Sequence, residues 1–201
     1  MVSAKGLVVF DMDGTLIPGQ TASQNIGNET NTLSKVHRLE AAYRQGICTP
    51  AQFATELHET WSEYPGCYRK AFENSVLLKG ITPAVETLHS LGYATCLITM
   101  SPLAYAINFA EFEFVFGSQP PHSIISPDDK PLIAKQLANS MNISNKSLIA
   151  VGDSSSDIPL FKMASYSLAV NGDSDIEALA SHSYRGGCLE QAITKLSSVL
   201  K

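Results

Sequence analysis

Two aspartates come directly after the first apolar run of the chain, where a buried strand would end. The run Leu7–Phe10 has no polar alternation and is followed by Asp11, Met12 and Asp13. Such a run is typical of a short strand buried on both faces. Because Asp11 and Asp13 are two positions apart, an extended chain points both carboxylates in the same direction. Converging carboxylates repel each other unless a cation lies between them or one stays protonated, so this spacing indicates a metal site or acid–base chemistry.

Further polar residues follow the ends of other predicted elements. Thr99 follows the apolar run 93–98, Asp153 and Asp157 follow the run 147–151, and Lys130 stands where a helix begins. The carboxyl ends of parallel strands share one edge of a sheet, so we expect these side chains to converge. The expected set is Asp11, Asp13, Thr99, Lys130, Asp153 and Asp157. Carboxylates suit Mg²⁺, and one hydroxyl with one ammonium suits a phosphoryl group.

Two members of this set have simpler interpretations that the sequence leaves open. Lys130 precedes Pro131 in a polar stretch and could be a solvated surface lysine. Asp157 could simply cap the helix that follows it. A mechanism with a serine or cysteine nucleophile would need a histidine base, and none of the five histidines lies at a predicted strand end.

The elements that must position these residues alternate between strand and helix. Strands are predicted at 7–10, 93–98, 112–116, 147–151 and 167–170, with helices between them. This alternation predicts an α/β fold, a Rossmann-like parallel sheet with helices on both faces and right-handed crossovers. Residues 20–78 instead show helical spacing, and Thr49 with Gln52 forms a capping box. We therefore predict a catalytic core of residues 1–17 and 81–201, with a small helical cap, residues 18–80, inserted after the first strand.

Composition excludes several classes of function. The chain has 201 residues, of which 44% are hydrophobic and 16% charged, with a net charge of −5. This charge and the lack of a Lys/Arg cluster argue against nucleic acid as a partner. No apolar run is long enough for a signal peptide or a membrane span. Four scattered cysteines are typical of reduced thiols, so we expect a cytoplasmic protein. We also expect it to be a monomer or a homodimer.

In their order along the chain, these residues resemble the motifs of the haloacid dehalogenase (HAD) superfamily of phosphohydrolases. The first motif is Asp11-Met12-Asp13-Gly14-Thr15, and the fourth runs from Gly152 to Asp157 as G-D-x-x-x-D. Thr99 and Lys130 match the second and third motifs. The predicted helical insertion between the first two motifs resembles the phosphoserine-phosphatase-like branch.

The resemblance implies a role for each of these residues. Asp11 would be the nucleophile and Asp13 the general acid and base, while Thr99 and Lys130 would bind the phosphate. Mg²⁺ would bind Asp11, Asp153 and the backbone carbonyl of Asp13, and Asp157 would hold a ligand or a metal-bound water. The implied activity is Mg²⁺-dependent hydrolysis of a small phosphorylated metabolite through an aspartyl-phosphate.

Two positions bear on the substrate. Gln20 stands where similar phosphoserine phosphatases carry a Glu that meets the substrate amine, and Arg69 falls near their carboxylate-binding Arg. Since Gln20 has no charge, we expect a small phosphomonoester and doubt phosphoserine.

Other functions would use a similar set of residues. A phosphotransferase or phosphomutase would use the same intermediate, and the sequence does not separate it from a phosphatase. A phospho-accepting receiver-type module also uses Asp, Lys and Mg²⁺, but it lacks the D-x-D-G-T run and the helical insertion. A dehalogenase would need neither an acid at Asp13 nor a metal, and an inactive scaffold would not keep every required residue type.

Overall fold

Strand β1 (Gly6–Phe10) lies inside a parallel sheet and forms because its apolar residues are buried on both sides. In the computed structural model, which describes residues 4–200, the sheet has six strands in the order β3-β2-β1-β4-β5-β6. All neighbouring strands pair in parallel. The other strands are β2 (Tyr93–Pro102), β3 (Phe114–Ser118), β4 (Leu148–Gly152), β5 (Tyr166–Val170) and β6 (His182–Tyr184). The predicted α/β fold class is confirmed.

Helices cover both faces of this sheet. Val8 and Phe10 of β1 belong to one apolar cluster, and Leu7 and Val9 belong to another. The first cluster includes α5 (Ile81–Ser90), α6 (Leu103–Ala106) and α10 (Leu189–Ile193). The second includes α7 (Asp129–Ser140), α8 (Ile158–Met163) and α9 (Ser174–Leu179). Because successive side chains of a strand point to opposite faces, the uninterrupted apolar run supplies both clusters.

Four helices are inserted between β1 and α5: α1 (Ala22–Glu29), α2 (Leu33–Arg44), α3 (Pro50–Trp61) and α4 (Cys67–Glu73). The capping box at the start of α3 is present, with the Thr49 hydroxyl accepting from the backbone N–H of Gln52. Buried residues of these helices, among them Ile26, Leu57 and Trp61, join the first apolar cluster of the sheet. No helix within residues 4–200 is both long and apolar enough to cross a membrane.

Several element ends differ from the predictions. Strand β2 continues to Pro102, where it pairs with Ser118 of β3, so the following helix α6 has only four residues. The sequence Ser174–Glu177 predicts a capping box with Ser174 as the cap, but helix α9 begins at Ser174 and its cap is Asp173. The Asp173 carboxylate accepts from the N–H groups of Asp175 and Ile176. The sequence predicts a last helix from Leu189 to about residue 200, but helix α10 ends at Ile193 and a 3₁₀ turn follows it. Strand β6 has three residues without an apolar run, and its sequence carries no strand signal.

Candidate active site

The centre of the site is the buried ammonium group of Lys130. Its Nζ lies 2.6 Å from Asp11 Oδ1 and 2.7 Å from Asp157 Oδ1. Lys130 is 1% exposed and lies in the first turn of α7, which begins at Asp129. The alternative of a solvated surface lysine is therefore wrong. Proline at the following position is compatible with the helix, since the N–H groups of a first turn have no intrahelical partner.

The loop after β4 is held by the other oxygen of Asp157. Asp157 Oδ2 accepts hydrogen bonds from the backbone N–H of Asp153 at 3.1 Å and of Ser154 at 3.4 Å. A Cβ at Gly152 would lie 2.5 Å from this carboxylate, so the turn needs glycine there. Asp157 thus fixes both the loop that carries Asp153 and the ammonium of Lys130, which is more than a simple helix cap would do.

Three carboxylates from two strand ends meet beside Lys130. Oxygen atoms of Asp11, Asp153 and Asp157 all lie within 4.8 Å of one another. Gly14 allows this approach, because a Cβ on it would overlap the Asp153 carboxylate. The Thr15 hydroxyl donates to Asp153 Oδ1 at 3.4 Å. A set made only of carboxylate oxygens fits a hard cation such as Mg²⁺.

The charges of this group are unbalanced without a cation. Burial raises the pKa of Asp11 well above its ordinary value, and the neighbouring Asp157 raises it further. Burial and Asp157 also raise the pKa of Asp153, to about 7. Burial alone would lower the pKa of Lys130, but the Asp11 and Asp157 carboxylates outweigh it and raise that pKa, so the ammonium stays charged. The single positive charge of Lys130 does not balance the negative charges of three close carboxylates. A bound divalent cation would supply the missing positive charge.

Asp13 has different partners and lies outside the group of three carboxylates. Its Oδ2 accepts from the Ser101 hydroxyl at 2.6 Å, and its Oδ1 accepts from the backbone N–H of Ala22 at 2.5 Å. Burial raises the pKa of Asp13, while these two hydrogen bonds oppose the rise. Its fixed position and its raised pKa suit a group that donates and accepts a proton.

Of the remaining predicted residues, Thr99 and Gln20 lie at the site and Arg69 does not. Thr99 is buried at the edge of a cavity of about 410 Å³ that also contains Asp11, Lys130 and Asp153, and its Oγ1 accepts from the Ser101 N–H at 3.0 Å. Exposed Gln20 lines the same cavity. Arg69 is not brought to the site, because its exposed side chain pairs with Glu73 one turn along α4 at 2.8 Å.

Ser101 is the functional residue that sequence reasoning missed. In the sequence it stands two positions after Thr99, in Thr99-Met100-Ser101. Its hydroxyl contacts Asp13 because β2 continues past Thr99 in extended form. The signal that could have found it is its spacing of two from Thr99, since both side chains then leave the strand on the same side.

The fold and the site together define a class: a Rossmann-like hydrolase with its carboxylates and a buried lysine at the carboxyl edge of the sheet. A family model described as haloacid dehalogenase-like hydrolase matches residues 8–162. The match covers well over half of the chain, and the chain belongs to this family.

Relatives of the chain carry a more specific description. The phosphoserine phosphatase of Lactococcus lactis subsp. lactis (strain IL1403) is 26% identical over 199 residues, covering 90% of each chain. That of Idiomarina loihiensis is 26% identical over 218 residues, covering 96% of this chain and 97% of the relative.

Solved structures agree in fold. One titled as a phospho-aspartyl intermediate analogue of phosphoserine phosphatase has a TM-score of 0.78 at 19% identity, covering 96% of this chain and 98% of the other. A HAD family hydrolase from Salmonella enterica subsp. enterica serovar Typhi has a TM-score of 0.83 at 16% identity, covering 94% of this chain and 70% of the other. The prediction of a HAD superfamily phosphatase similar to the phosphoserine phosphatases is confirmed, and the receiver-type alternative is not supported.

Proposed function

We propose that the chain is a Mg²⁺-dependent phosphatase that hydrolyses a small-molecule phosphomonoester through an aspartyl-phosphate on Asp11. The observation that carries this proposal is the buried Lys130 ammonium, which joins Asp11 to Asp157 beside Asp153. The relatives described as phosphoserine phosphatases support a phosphoryl substrate.

The donor set supports the assignment of the metal. Asp11 and Asp153 would hold Mg²⁺ together with the backbone carbonyl of Asp13. Asp157 is close enough to contribute, but both of its oxygens already accept from N–H donors. Asp157 would therefore act mainly by positioning Asp153 and Lys130. When bound, the ion would neutralise phosphoryl oxygens so that an anionic nucleophile can approach phosphorus.

The chain's own groups can carry both halves of the reaction. In the first, an Asp11 oxygen attacks phosphorus, the bond from phosphorus to the ester oxygen breaks, and Asp13 gives that oxygen a proton. In the second, Asp13 takes a proton from water, the water oxygen attacks phosphorus, and the bond to Asp11 breaks to release inorganic phosphate. Lys130 and Thr99 would hold the phosphoryl oxygens during both steps.

The division of the chain follows the same reasoning. Residues 1–17 and 81–201 would form the catalytic core, and residues 18–80 would form a cap that limits access of water. In support, the first backbone N–H of α1 contacts Asp13, and Thr21 and Gln24 line the cavity of the carboxylates. A cytoplasmic location and a monomeric or homodimeric state stay predictions.

The test is phosphate release and trapping of the intermediate with matched variants. We expect Mg²⁺-dependent release from phosphomonoesters, and a fall in kcat/KM of at least ~1,000-fold in Asp11→Asn, because an amide is not a competent nucleophile here. Asp175→Asn, an identical change at an exposed site on α9, should keep the activity. Acid quenching with [³²P]-labelled substrate should label the wild type but not Asp11→Asn.

Retention of Mg²⁺-dependent turnover in Asp11→Asn would overturn the assignment of the nucleophile. Product analysis with an added acceptor alcohol separates hydrolysis from phosphoryl transfer. A phosphatase releases inorganic phosphate in step with the alcohol product, whereas a transferase yields a new phosphomonoester in its place.

A further inference from the structure

A second cavity, of about 260 Å³, adjoins the general acid of the site. It lies between the inserted helices α2 and α3, the carboxyl-terminal ends of β2 and β3, and the loop that follows β3. Asp13, Thr21 and Met100 line both this cavity and the cavity of the carboxylates. In the proposed reaction Asp13 contacts the ester oxygen. When the phosphoryl group lies at Asp11, the rest of the alcohol therefore lies at the entrance to the second cavity.

The walls of this cavity are mostly apolar and aromatic. Helix α3 supplies Phe53, Leu57 and Trp61, which are spaced four apart and therefore lie on one face. The rings of Trp61 and Tyr68 stand perpendicular with centroids 6.1 Å apart. Trp61 Nε1 donates to Thr32 Oγ1 at 3.1 Å, so the polar atom of the indole already has a partner.

The charged residues at this cavity do not form a receptor for an amino-acid head group. Both oxygens of Glu40 accept from Gln24 Nε2, at 3.0 and 2.9 Å, and Glu40 Oε1 also accepts from the Thr21 hydroxyl at 3.2 Å. Arg44 lines the cavity but is exposed, and a solvated guanidinium contributes little to holding a carboxylate. Serine would need partners for both an ammonium and a carboxylate, and leaving either group unpaired is costly.

The volume also exceeds what a three-carbon amino acid needs. A dry protein cavity of about 150 Å³ holds one benzene molecule. A cavity of 260 Å³ therefore has room for a six-membered ring with a short linker.

We propose that the phosphomonoester hydrolysed by this enzyme has an uncharged, ring-bearing alcohol as its leaving group, which enters the cavity between α2, α3 and the β2 and β3 ends. The inference rests on the proposed phosphatase function and names the substrate class of that same site.

The test compares substrates that differ only in what would fill the cavity. Propyl phosphate and 3-phenylpropyl phosphate release primary alcohols of similar acidity, so the chemical step is matched and the ring supplies the difference. We expect kcat/KM for 3-phenylpropyl phosphate to exceed that for propyl phosphate by about 10- to 100-fold, because burying a ring-sized apolar group usually has an effect of this size. It should also exceed the kcat/KM for O-phosphoserine.

A pair of variants on one helix ties the preference to the cavity. Ala54 faces the cavity, whereas Ala51 on the same helix is exposed and does not line it. Ala54→Trp should lower the ratio of the two alkyl substrates towards one, and Ala51→Trp should keep the wild-type ratio. If Ala54→Trp loses its circular-dichroism signal, the smaller Ala54→Leu is measured in its place.

The outcomes separate the two proposals. If alkyl phosphates are hydrolysed with Mg²⁺ but the phenyl group brings no gain, or if O-phosphoserine is the better substrate by tenfold, the ring-bearing alcohol is wrong while the phosphatase stands. A preference that survives in Ala54→Trp also overturns the proposed cavity. If no phosphomonoester is hydrolysed with Mg²⁺, the proposed function itself fails.

Discussion

Replacing Lys130 with methionine tests whether its ammonium is the central counter-charge of the site. Methionine keeps an unbranched apolar stem in the first turn of α7 but removes the charge and both short hydrogen bonds. The carboxylates of Asp11 and Asp157 would then be buried without their cation, at side-chain exposures of 6% and 0%. Leaving a buried charge without its partner is among the most destabilising single changes in a protein.

The expected loss is about 3–5 kcal/mol in the free energy of unfolding at pH 7.5 without metal. A typical domain has ~5–15 kcal/mol in total, so the variant should be only marginally stable. The loss should shrink as the pH falls. Lys130 lowers the pKa of Asp11, so its removal raises that pKa further, and protonation then removes the unpaired charge.

Urea denaturation in EDTA at pH 7.5 and pH 5 measures both effects. Lys135→Met is the matched control, since Lys135 lies five residues further along α7 and is exposed. It should differ from the wild type by less than ~0.5 kcal/mol. The reasoning is refuted if Lys130→Met unfolds at the same urea concentration as Lys135→Met at pH 7.5, or if its deficit does not depend on pH.

Two further predictions concern the approach of Asp153 to the site. Gly14→Ala should destabilise the protein by ~2 kcal/mol more than Gly19→Ala, and it should also weaken Mg²⁺ binding. Both glycines have positive φ, but only at Gly14 would a Cβ overlap Asp153. Equal urea midpoints for the two variants would contradict this prediction. Folding raises the pKa of Asp153 to about 7 from 3.8, so its contribution to stability is full below pH ~4 and is lost as the pH rises towards 7. Saturating Mg²⁺ should therefore raise the melting temperature more at pH 8 than at pH 5, and an equal rise would argue against an ion at this residue.

The architecture could be predicted because its signals are local and repeated. The uninterrupted run before Asp11 predicts a strand covered on both faces, and both sheet faces do use it. Element ends were less predictable, because tertiary pairing decides them. Strand β2 runs on to Pro102 since the Ser118 hydroxyl donates to the Met100 carbonyl at 2.7 Å, a partner that no local pattern near β2 indicates.

Convergence of the carboxylates followed from topology alone. Parallel strands bring their carboxyl ends to one edge whatever the loops do, so Asp11 and Asp153 meet although they are 142 positions apart. Burial of Lys130 did not follow in the same way. A lysine before proline is equally compatible with a loop and with the first turn of a helix. Only the packing of α7 against the second apolar cluster removes Lys130 from water.

Contacts to the leaving group are the least predictable part of the site, and the reason is physical. The catalytic edge is set by backbone pairing within one sheet, whereas the second cavity depends on how the inserted helices rest against that sheet. Whether an arginine reaches it is decided by which face of a helix it occupies: Arg44 of α2 lines the cavity, while Arg69 of α4 faces outward to Glu73. Such packing arises from many weak apolar contacts, so the motifs predict the reaction while the packing of the inserted helices selects the alcohol.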